Sequence, residues 1–320
     1  MMHWAVKDLL KRSRLATRIA HRLRKTRRIA TLAELDAFMD DIQRRYPLLD
    51  DKASRELQGV CYQPADLALP ENPFSEEYRA RQRELYLRIS GKESYKLEYE
   101  SESFDPEKEK HDFFPYNSRS LRMVGDQLIT QGFLLRNIRL PAGSSIVEFG
   151  AGSGNTSLNL ALTGYDVTAV EIGRSAGEVI KYRAKVHGRS IEVVNQGMIE
   201  FAQTTEKKFD AALFVASFHH CEDHLLLLES LSRILKPDGV IYFADEPFVY
   251  SQSPTVPYPW GLRLDGLSLY FVRKCGWLEL GFELDYIRKA LARSGWGLRI
   301  DKSPLDGFPH FFTAQRIKSP

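Results

Sequence analysis

Cysteine is scarce in this chain of 320 residues, which holds only Cys61, Cys221 and Cys275. The number is odd, the spacing is wide and no C-x-x-C pair occurs, so a disulfide scaffold and a structural zinc site are both excluded as organising devices, and a reducing cytoplasm fits best. No metal is expected. Long apolar runs are missing too. None approaches the roughly 18 residues of a spanning helix, and no secretory apolar segment stands near the N-terminus, so neither a membrane span nor an export signal is expected. Internal repeats are also absent.

What is present is ordinary in bulk and uneven in detail. An apolar content of 43% and a charged content of 27% describe a globular protein with a core large enough for one big domain or two modest ones. The net charge of +3 conceals an asymmetry: residues 1–28 hold ten Lys/Arg against Asp8 alone, leaving 35 basic and 41 acidic residues elsewhere. Between residues 4 and 24, Trp4, Val6, Leu9, Leu10, Ile19 and Leu23 recur among these basic residues at roughly helical spacing. A basic amphipathic helix suits an anionic membrane surface, nucleic acid, an organellar presequence, or a solvated tail packed on its own protein. Peripheral membrane contact through residues 1–28 is the sharpest of these expectations, and nucleic acid is the least expected partner. The localisation expected is cytoplasmic, with association at the membrane surface as its variant.

Downstream, Thr31-Leu-Ala-Glu34 forms a capping box that predicts a helix to about residue 46, and Ser75-Glu-Glu opens another that runs to about Ile89 before Gly91. Residues 91–115 are highly charged without periodicity and read mostly as loop. Residues 118–137 return to helical spacing through Leu121, Val124, Leu128, Ile129 and Leu134. From Ile146 onward short apolar runs alternate with helical segments, the pattern of a parallel α/β sheet. Strands are expected at 165–172, 190–195, 209–217 and 240–244, helices at 174–186, 222–234 and 282–293, and a closing antiparallel hairpin at 297–302 and 311–316. The organisation expected is a basic helix over 1–30, a helical extension over 31–112 and an α/β domain over 113–320, interrupted by an insertion at about 247–280.

The stretch SIVEFGAGSGN at 145–155 is the centre of this pattern. An apolar run ending in Gly150, Gly152 and Gly154 predicts a buried strand that turns sharply into a helix, with a backbone open to a ligand and helix N–H groups facing it. The dinucleotide fingerprint G-x-G-x-x-G would place its third glycine at Asn155, which argues against a nicotinamide dehydrogenase. Glu171 stands 21 residues after Gly150 at the end of the second strand, where an acid can accept hydrogen bonds from both hydroxyls of an adenosyl ribose.

Four separated motifs carry a family resemblance: VEFGAGSG (147–154), VTAVEI (167–172), FDAALFVASFHH (209–220) and LKPDGVIYFADEP (235–247). In this order and spacing they resemble class I S-adenosylmethionine (SAM) methyltransferases of the small-molecule type, over about residues 140–320. The resemblance implies a Rossmann-like, doubly wound, mostly parallel seven-stranded sheet with an antiparallel edge hairpin. It implies SAM as cofactor, held by Glu148, Gly150, Gly152, Gly154, Asn155, Glu171, Ile172, Met198 and Ser217. The family's acid after the third strand has no counterpart in Asn195-Gln-Gly-Met198, where Met198 is expected to stack on the adenine and Asn195 or Gln196 to supply the polar contact. The fourth-strand sequence Ala216-Ser-Phe-His-His220 lacks the [N/D]-P-P-[F/Y] stretch of amino-methylating enzymes.

Methyl transfer from a sulfonium mainly requires alignment, and a hydroxyl acceptor also needs a base with a pKa near working pH. His219, His220, Asp245 and Glu246 are the candidates, with His224 one turn further on. Tyr116, Asn117 and Arg119 suit a segment folding over the cofactor, and Tyr258, Trp260, Arg263 and Tyr270 suit a polar ring such as a sugar. The activity expected is O-methylation of a small molecule or glycan. A SAM-binding module without turnover is the alternative, and an NAD-dependent oxidoreductase the more remote one.

Overall fold

In the computed structural model, residues 27–47, 50–101, 105–112, 120–305 and 309–317 are described. The expected helix over 4–24, the residues Tyr116, Asn117 and Arg119, and most of the Asp306-Gly-Phe-Pro309 turn lie outside them. The described chain opens on a strand, β1 (Arg27–Ile29). Helix α1 (Leu32–Arg45) follows, with the Thr31/Glu34 capping box in place. Then come α2 (Asp51–Gln58), β2 (Val60–Tyr62), which pairs in parallel with β1, and α3 (Glu76–Ser90), capped by Ser75 and ended by Gly91 in the left-handed region. The stretch read as loop holds one 3-10 turn, Leu97–Glu100, and the one-turn helix α4 (Pro106–Glu109). Helix α5 (Leu121–Asn137) leads into the main sheet.

That sheet alternates as the sequence predicts: β3 (Ser145–Phe149), α6 (Asn155–Leu162), β4 (Asp166–Val170), α7 (Arg174–Val186), β5 (Glu192–Val194), α8 (Met198–Thr204), β6 (Phe209–Val215), α9 (His224–Ile234) and β7 (Leu235–Ala244). After β7 the chain adds β8 (Phe248–Val249), β9 (Trp260–Leu262), α10 (Gly266–Lys274), β10 (Leu280–Glu283) and α11 (Leu284–Arg293), then β11 (Trp296–Asp301) and β12 (Phe311–Arg316). The seven-stranded order is β11-β12-β7-β6-β3-β4-β5, and β12 runs antiparallel to both of its neighbours. The fold is the Rossmann-like, doubly wound sheet expected, with the hairpin at its edge.

Alternation along the strands makes two cores. Val147, Phe149, Ala212, Phe214, Ile241 and Phe243 face one side, and Ile146, Ala211, Leu213, Val240 and Tyr242 face the other. Because side chains on a strand alternate, continuously apolar strands of this kind are stable only with both faces covered. On the first side, Phe149, Phe214 and Phe243 stack across three neighbouring strands with centroids 5.1 and 5.4 Å apart.

The insertion and the N-terminal extension share this first core. Strands β8, β10 and β9 form a second, three-stranded sheet in that order. Buried Tyr78 on α3 donates its hydroxyl to the Trp260 carbonyl at 2.8 Å, Tyr86 donates to the Gly276 carbonyl at 2.6 Å, and Trp260 donates its indole N–H to the Pro73 carbonyl at 2.7 Å. Each of these bonds satisfies a polar atom that burial would otherwise leave costly. The insertion is therefore a packed part of the molecule rather than a loop. Helices α2, α8 and α10 and strands β1, β2, β8, β9 and β10 have no counterpart in the sequence reading, because each is short and takes its stability from tertiary packing.

Candidate active site

Strand β3 ends at Phe149, and the chain turns back through Gly150, Gly152 and Gly154 with φ of 66°, 52° and 75°, the left-handed region that side chains other than glycine's enter at a cost. A Cβ on Gly150 would stand 2.7 Å from Ser217 Cβ. At Gly152 a Cβ would meet nothing within 4 Å, so this backbone lies open to the space above the sheet. Gly154 packs instead on α7, where a Cβ would come 2.6 Å from Ile180 Cγ1.

That space is a cavity of about 980 Å³ at the carboxyl ends of β3, β4, β6 and β7, where open α/β sheets assemble their sites. Glu148, Gly150, Gly152, Asn155, Glu171, Ile172, Met198 and Ser217 all line it, while Gly154 does not. Glu171 is buried, and its two oxygens accept the backbone N–H groups of Gly152 and Gly173 at 2.8 Å each. Burial raises its pKa. Glu148 is buried beneath the turn and accepts the Ser157 hydroxyl. Burial pushes its carboxyl up to about 7, against the pull of the Ser157 and Thr156 hydroxyls.

At the far side of β4, Asn195 does not reach into the cavity. Its amide donates to the carbonyls of Glu171 at 2.9 Å and Gly173 at 3.3 Å, bracing the strand end. Gln196, Met198 and Glu200 line the cavity there, with Gln196 Nε2 donating to Glu200 Oε1 at 3.1 Å. Glu200 is thus an acid at the edge of this end that the sequence reading did not identify. It stands one helical turn later than the position where the family's acid is sought.

The cavity is also lined by His219, His220 and Asp245 together with Glu100, Arg263 and Glu279. Two residues that hold left-handed φ without being glycine, Ala216 (49°) and Asp245 (56°), end the adjacent strands β6 and β7. Strain of this kind concentrates at functional sites. Asp245 makes no hydrogen bond among the described residues. Burial, then the neighbouring Glu246, pushes its carboxyl up to about 6, while Arg263 pulls it down.

Glu246 points the other way and does not line the cavity. Its carboxylate accepts the backbone N–H groups of Ser217 and Phe218 at 2.8 Å and of His219 at 3.2 Å, and lies 2.8 Å from His219 Nδ1. Burial pushes it up to about 7. A carboxylate on Nδ1 fixes the ring and directs Nε2 outward. In His219 that atom lies 3.7 Å from Glu279 Oε2. Burial, then the proximity of His220 and Arg263, holds His219 well below its usual pKa.

His220 Nδ1 stands 3.0 Å from Glu100 Oε2, but no directed hydrogen bond forms there. Burial opposes its charge, yet Glu100 and Glu279 raise its pKa overall. Glu279 also pairs with Arg263. His224 is a core residue: it bonds the Tyr286 hydroxyl at 2.7 Å, and burial pushes it down to about 3. Of the four insertion residues expected to hold a ring, only Arg263 lines the cavity. Tyr258 and Trp260 are buried, with their polar atoms bonded to the carbonyls of Leu262 and Pro73.

Glu100 and Glu279 went unnoticed in the sequence because no local pattern marks them. They meet His220 and His219 only because the 95–101 segment and the chain before β10 both fold over the sheet, tied together by the Leu278 N–H to Glu100 bond at 2.8 Å.

Residues 147–243 match a family model described as a methyltransferase domain. The resemblance to class I SAM-dependent methyltransferases, drawn from the four motifs, holds for this segment. Among curated proteins, the ubiquinone biosynthesis O-methyltransferase of Actinobacillus pleuropneumoniae serotype 5b (strain L20) is 29% identical over 106 residues, which cover 32% of this chain and 45% of that protein. The protein of the same name from Salmonella paratyphi A (strain ATCC 9150 / SARB42) is 26% identical over 102 residues, 32% of this chain and 42% of that one. The chain thus spans less than half the length of these relatives. Among solved structures, magnesium protoporphyrin IX methyltransferase from Synechocystis PCC 6803 with bound SAM overlays with a TM-score of 0.45 at 16% identity, covering 69% of this chain and 94% of that one. No helix among the described residues is long and apolar enough to cross a membrane.

Proposed function

We propose that this protein is an O-methyltransferase that moves the methyl group of SAM to a hydroxyl of a polar small molecule or glycan. One observation carries the reading: a single cavity of about 980 Å³ joins the glycine turn and Glu171 to the cluster of His219, His220 and Asp245. The cofactor end fits SAM. The backbone at Gly152 is open to the cavity, and Glu171 sits at the strand end with both oxygens already aligned by backbone N–H groups. Glu148 beneath the turn suits the cofactor's amino group, whose positive charge favours the ionised carboxylate. Bound SAM supplies an activated methyl group on a sulfonium, so the protein's remaining work is alignment and proton removal.

Asp245 is the proposed base. Its carboxylate faces the cavity without a hydrogen bond among the described residues, and would receive the acceptor's hydroxyl proton. Glu246 acts through His219, whose orientation it fixes, rather than on the acceptor. The acceptor end is acidic: Glu100, Asp245 and Glu279 face one guanidinium, Arg263, which is itself paired with Glu279. That balance disfavours phosphorylated or carboxylated acceptors and favours neutral or cationic ones. The name of the curated relatives supports oxygen as the accepting atom. A cytoplasmic setting fits Cys61 and Cys221, both buried as free thiols.

The test is calorimetric binding of SAM together with transfer of tritiated methyl to fractionated small molecules and glycans. Label appearing in a neutral hydroxylated fraction supports the reading. Tight SAM binding with label that never leaves the cofactor would show a binding module instead.

A further inference from the structure

The cluster at the acceptor end has a chemistry that proton transfer leaves unused. Among the described residues, one donor atom each from His219, His220 and Glu279 lies within 4.8 Å of the others. His219 Nε2 and Glu279 Oε2 are 3.7 Å apart. Donors that share an ion at bond lengths of about 2.0–2.2 Å lie roughly 3–4 Å from one another, so this pair is already spaced for a common metal. Two further features point the same way. His219 is held through Nδ1 by buried Glu246 at 2.8 Å, the carboxylate–histidine arrangement that fixes a metal-binding imidazole and turns its other nitrogen to the ion. The second imidazole has the same kind of neighbour, with Nδ1 of His220 3.0 Å from Glu100 Oε2, but that atom lacks a directed hydrogen bond.

Charge agrees with geometry. Glu100, Asp245, Glu246 and Glu279 stand about the two rings, and Arg263 is the one guanidinium among the described residues that lines the cavity. Buried carboxylates in such excess are costly unless a cation is shared among them.

We infer that His219, His220 and Glu279 form a two-histidine, one-carboxylate site for a divalent first-row transition ion. The three protein donors would leave coordination positions facing the cavity, where the acceptor's oxygen is placed. Two imidazole nitrogens select zinc, cobalt or nickel over magnesium and calcium, which take oxygen ligands. The inference rests on the proposed reading only in placing the acceptor there. The metal site itself stands on the geometry.

The experiment uses the full chain, stripped of metal with a chelator and titrated with Co²⁺ alone, followed by the visible absorption of the bound ion and by calorimetry. One equivalent is expected to bind per chain, Mg²⁺ at the same concentration is not, and Zn²⁺ should displace the cobalt. His219→Gln, His220→Gln and Glu279→Gln should each weaken binding at least 100-fold, and Glu246→Gln 10- to 100-fold as the positioning residue. His187→Gln, at an exposed histidine just past the C-terminal end of α7, should leave it unchanged. SAM affinity, measured in parallel, reports on folding and on the cofactor reading independently of the metal. Cobalt that fails to bind wild-type protein at millimolar concentration overturns the inference, whether or not SAM binds. Cobalt binding that persists undiminished in all three ligand variants overturns it as well, since the ion then lies elsewhere.

Discussion

The two ends of the cavity are built by opposite means. At the end proposed for the cofactor the groups come from backbone and from one short span: the turn after β3, the buried Glu148 beneath it, and Glu171 at the end of the adjacent strand. At the acceptor end the groups are side chains gathered from residues 100, 219–220, 245, 263 and 279, which reach one place only after the extension and the insertion have packed on the sheet. The first end is held by hydrogen bonds to backbone N–H groups. The second is held by carboxylate–imidazole and carboxylate–guanidinium pairs. Damage to the first end should therefore read out as lost binding, and damage to the second as lost turnover with binding intact.

The sharpest attempt to break this division is Gly150→Val. The new Cβ meets Ser217 Cβ at 2.7 Å, and the residue must hold φ at 66°. Left-handed backbone alone costs about 1–2 kcal/mol, and the clash adds to it. SAM affinity should fall at least 100-fold by calorimetry, and unchanged affinity would remove the turn from the site.

Next comes Glu148. Its folded pKa, about 7, lies above a glutamate's ordinary value of 4.5. The folded protein therefore holds a proton that the unfolded chain has lost between those values. Stability contributed by this group is fully present below about 4.5 and declines as pH rises toward 7, by about 3 kcal/mol from linkage. Glu148→Gln should remove this decline from the difference between the two proteins' denaturation curves measured from pH 4.5 to 8. It should also abolish the rise in SAM affinity with pH that a cationic ligand beside Glu148 produces. Parallel curves for the two proteins would show that Glu148 is not the titrating group.

The smallest effect tests the boundary of the comparison. Tyr78→Phe deletes the hydroxyl that ties the extension to the Trp260 carbonyl, far from both ends. It should cost about 1 kcal/mol of stability in urea denaturation, as loss of one buried hydrogen bond does, and leave SAM affinity and turnover alone. A fall in turnover would mean that the docking of the extension positions the acceptor end directly.

The same division explains how far the sequence could be read. Gly150, Gly152, Glu148 and Glu171 were legible because strand, turn and acid lie within 24 residues, and local backbone physics ties their spacing to a ligand. The alternation of strands and helices from residue 145 onward was legible because buried parallel strands must be continuously apolar. Glu246 was legible as a candidate but not as a brace, since its role depends on the N–H groups of Ser217–His219 turning toward it. Glu100 and Glu279 left no signal at all. Their neighbours in space are some 120 and 60 residues away in sequence, and a charged loop residue before folding looks the same whether it ends in solvent or against a histidine. Tyr258 and Trp260 misled for a related reason: their aromatic character suits a sugar pocket or a packed core equally well, and only the docking of α3 decides for the core.

The central claim is that one cavity binds at one end and reacts at the other, with Asp245 taking the proton. The most direct test is Asp245→Asn, scored for SAM affinity and for single-turnover methyl transfer to whichever fraction accepts label from the wild type. The account predicts an unchanged SAM dissociation constant and transfer slowed by about 10²–10⁴-fold, the usual share of a general base. Transfer at the wild-type rate, or loss of SAM binding equal to the loss of transfer, would contradict it.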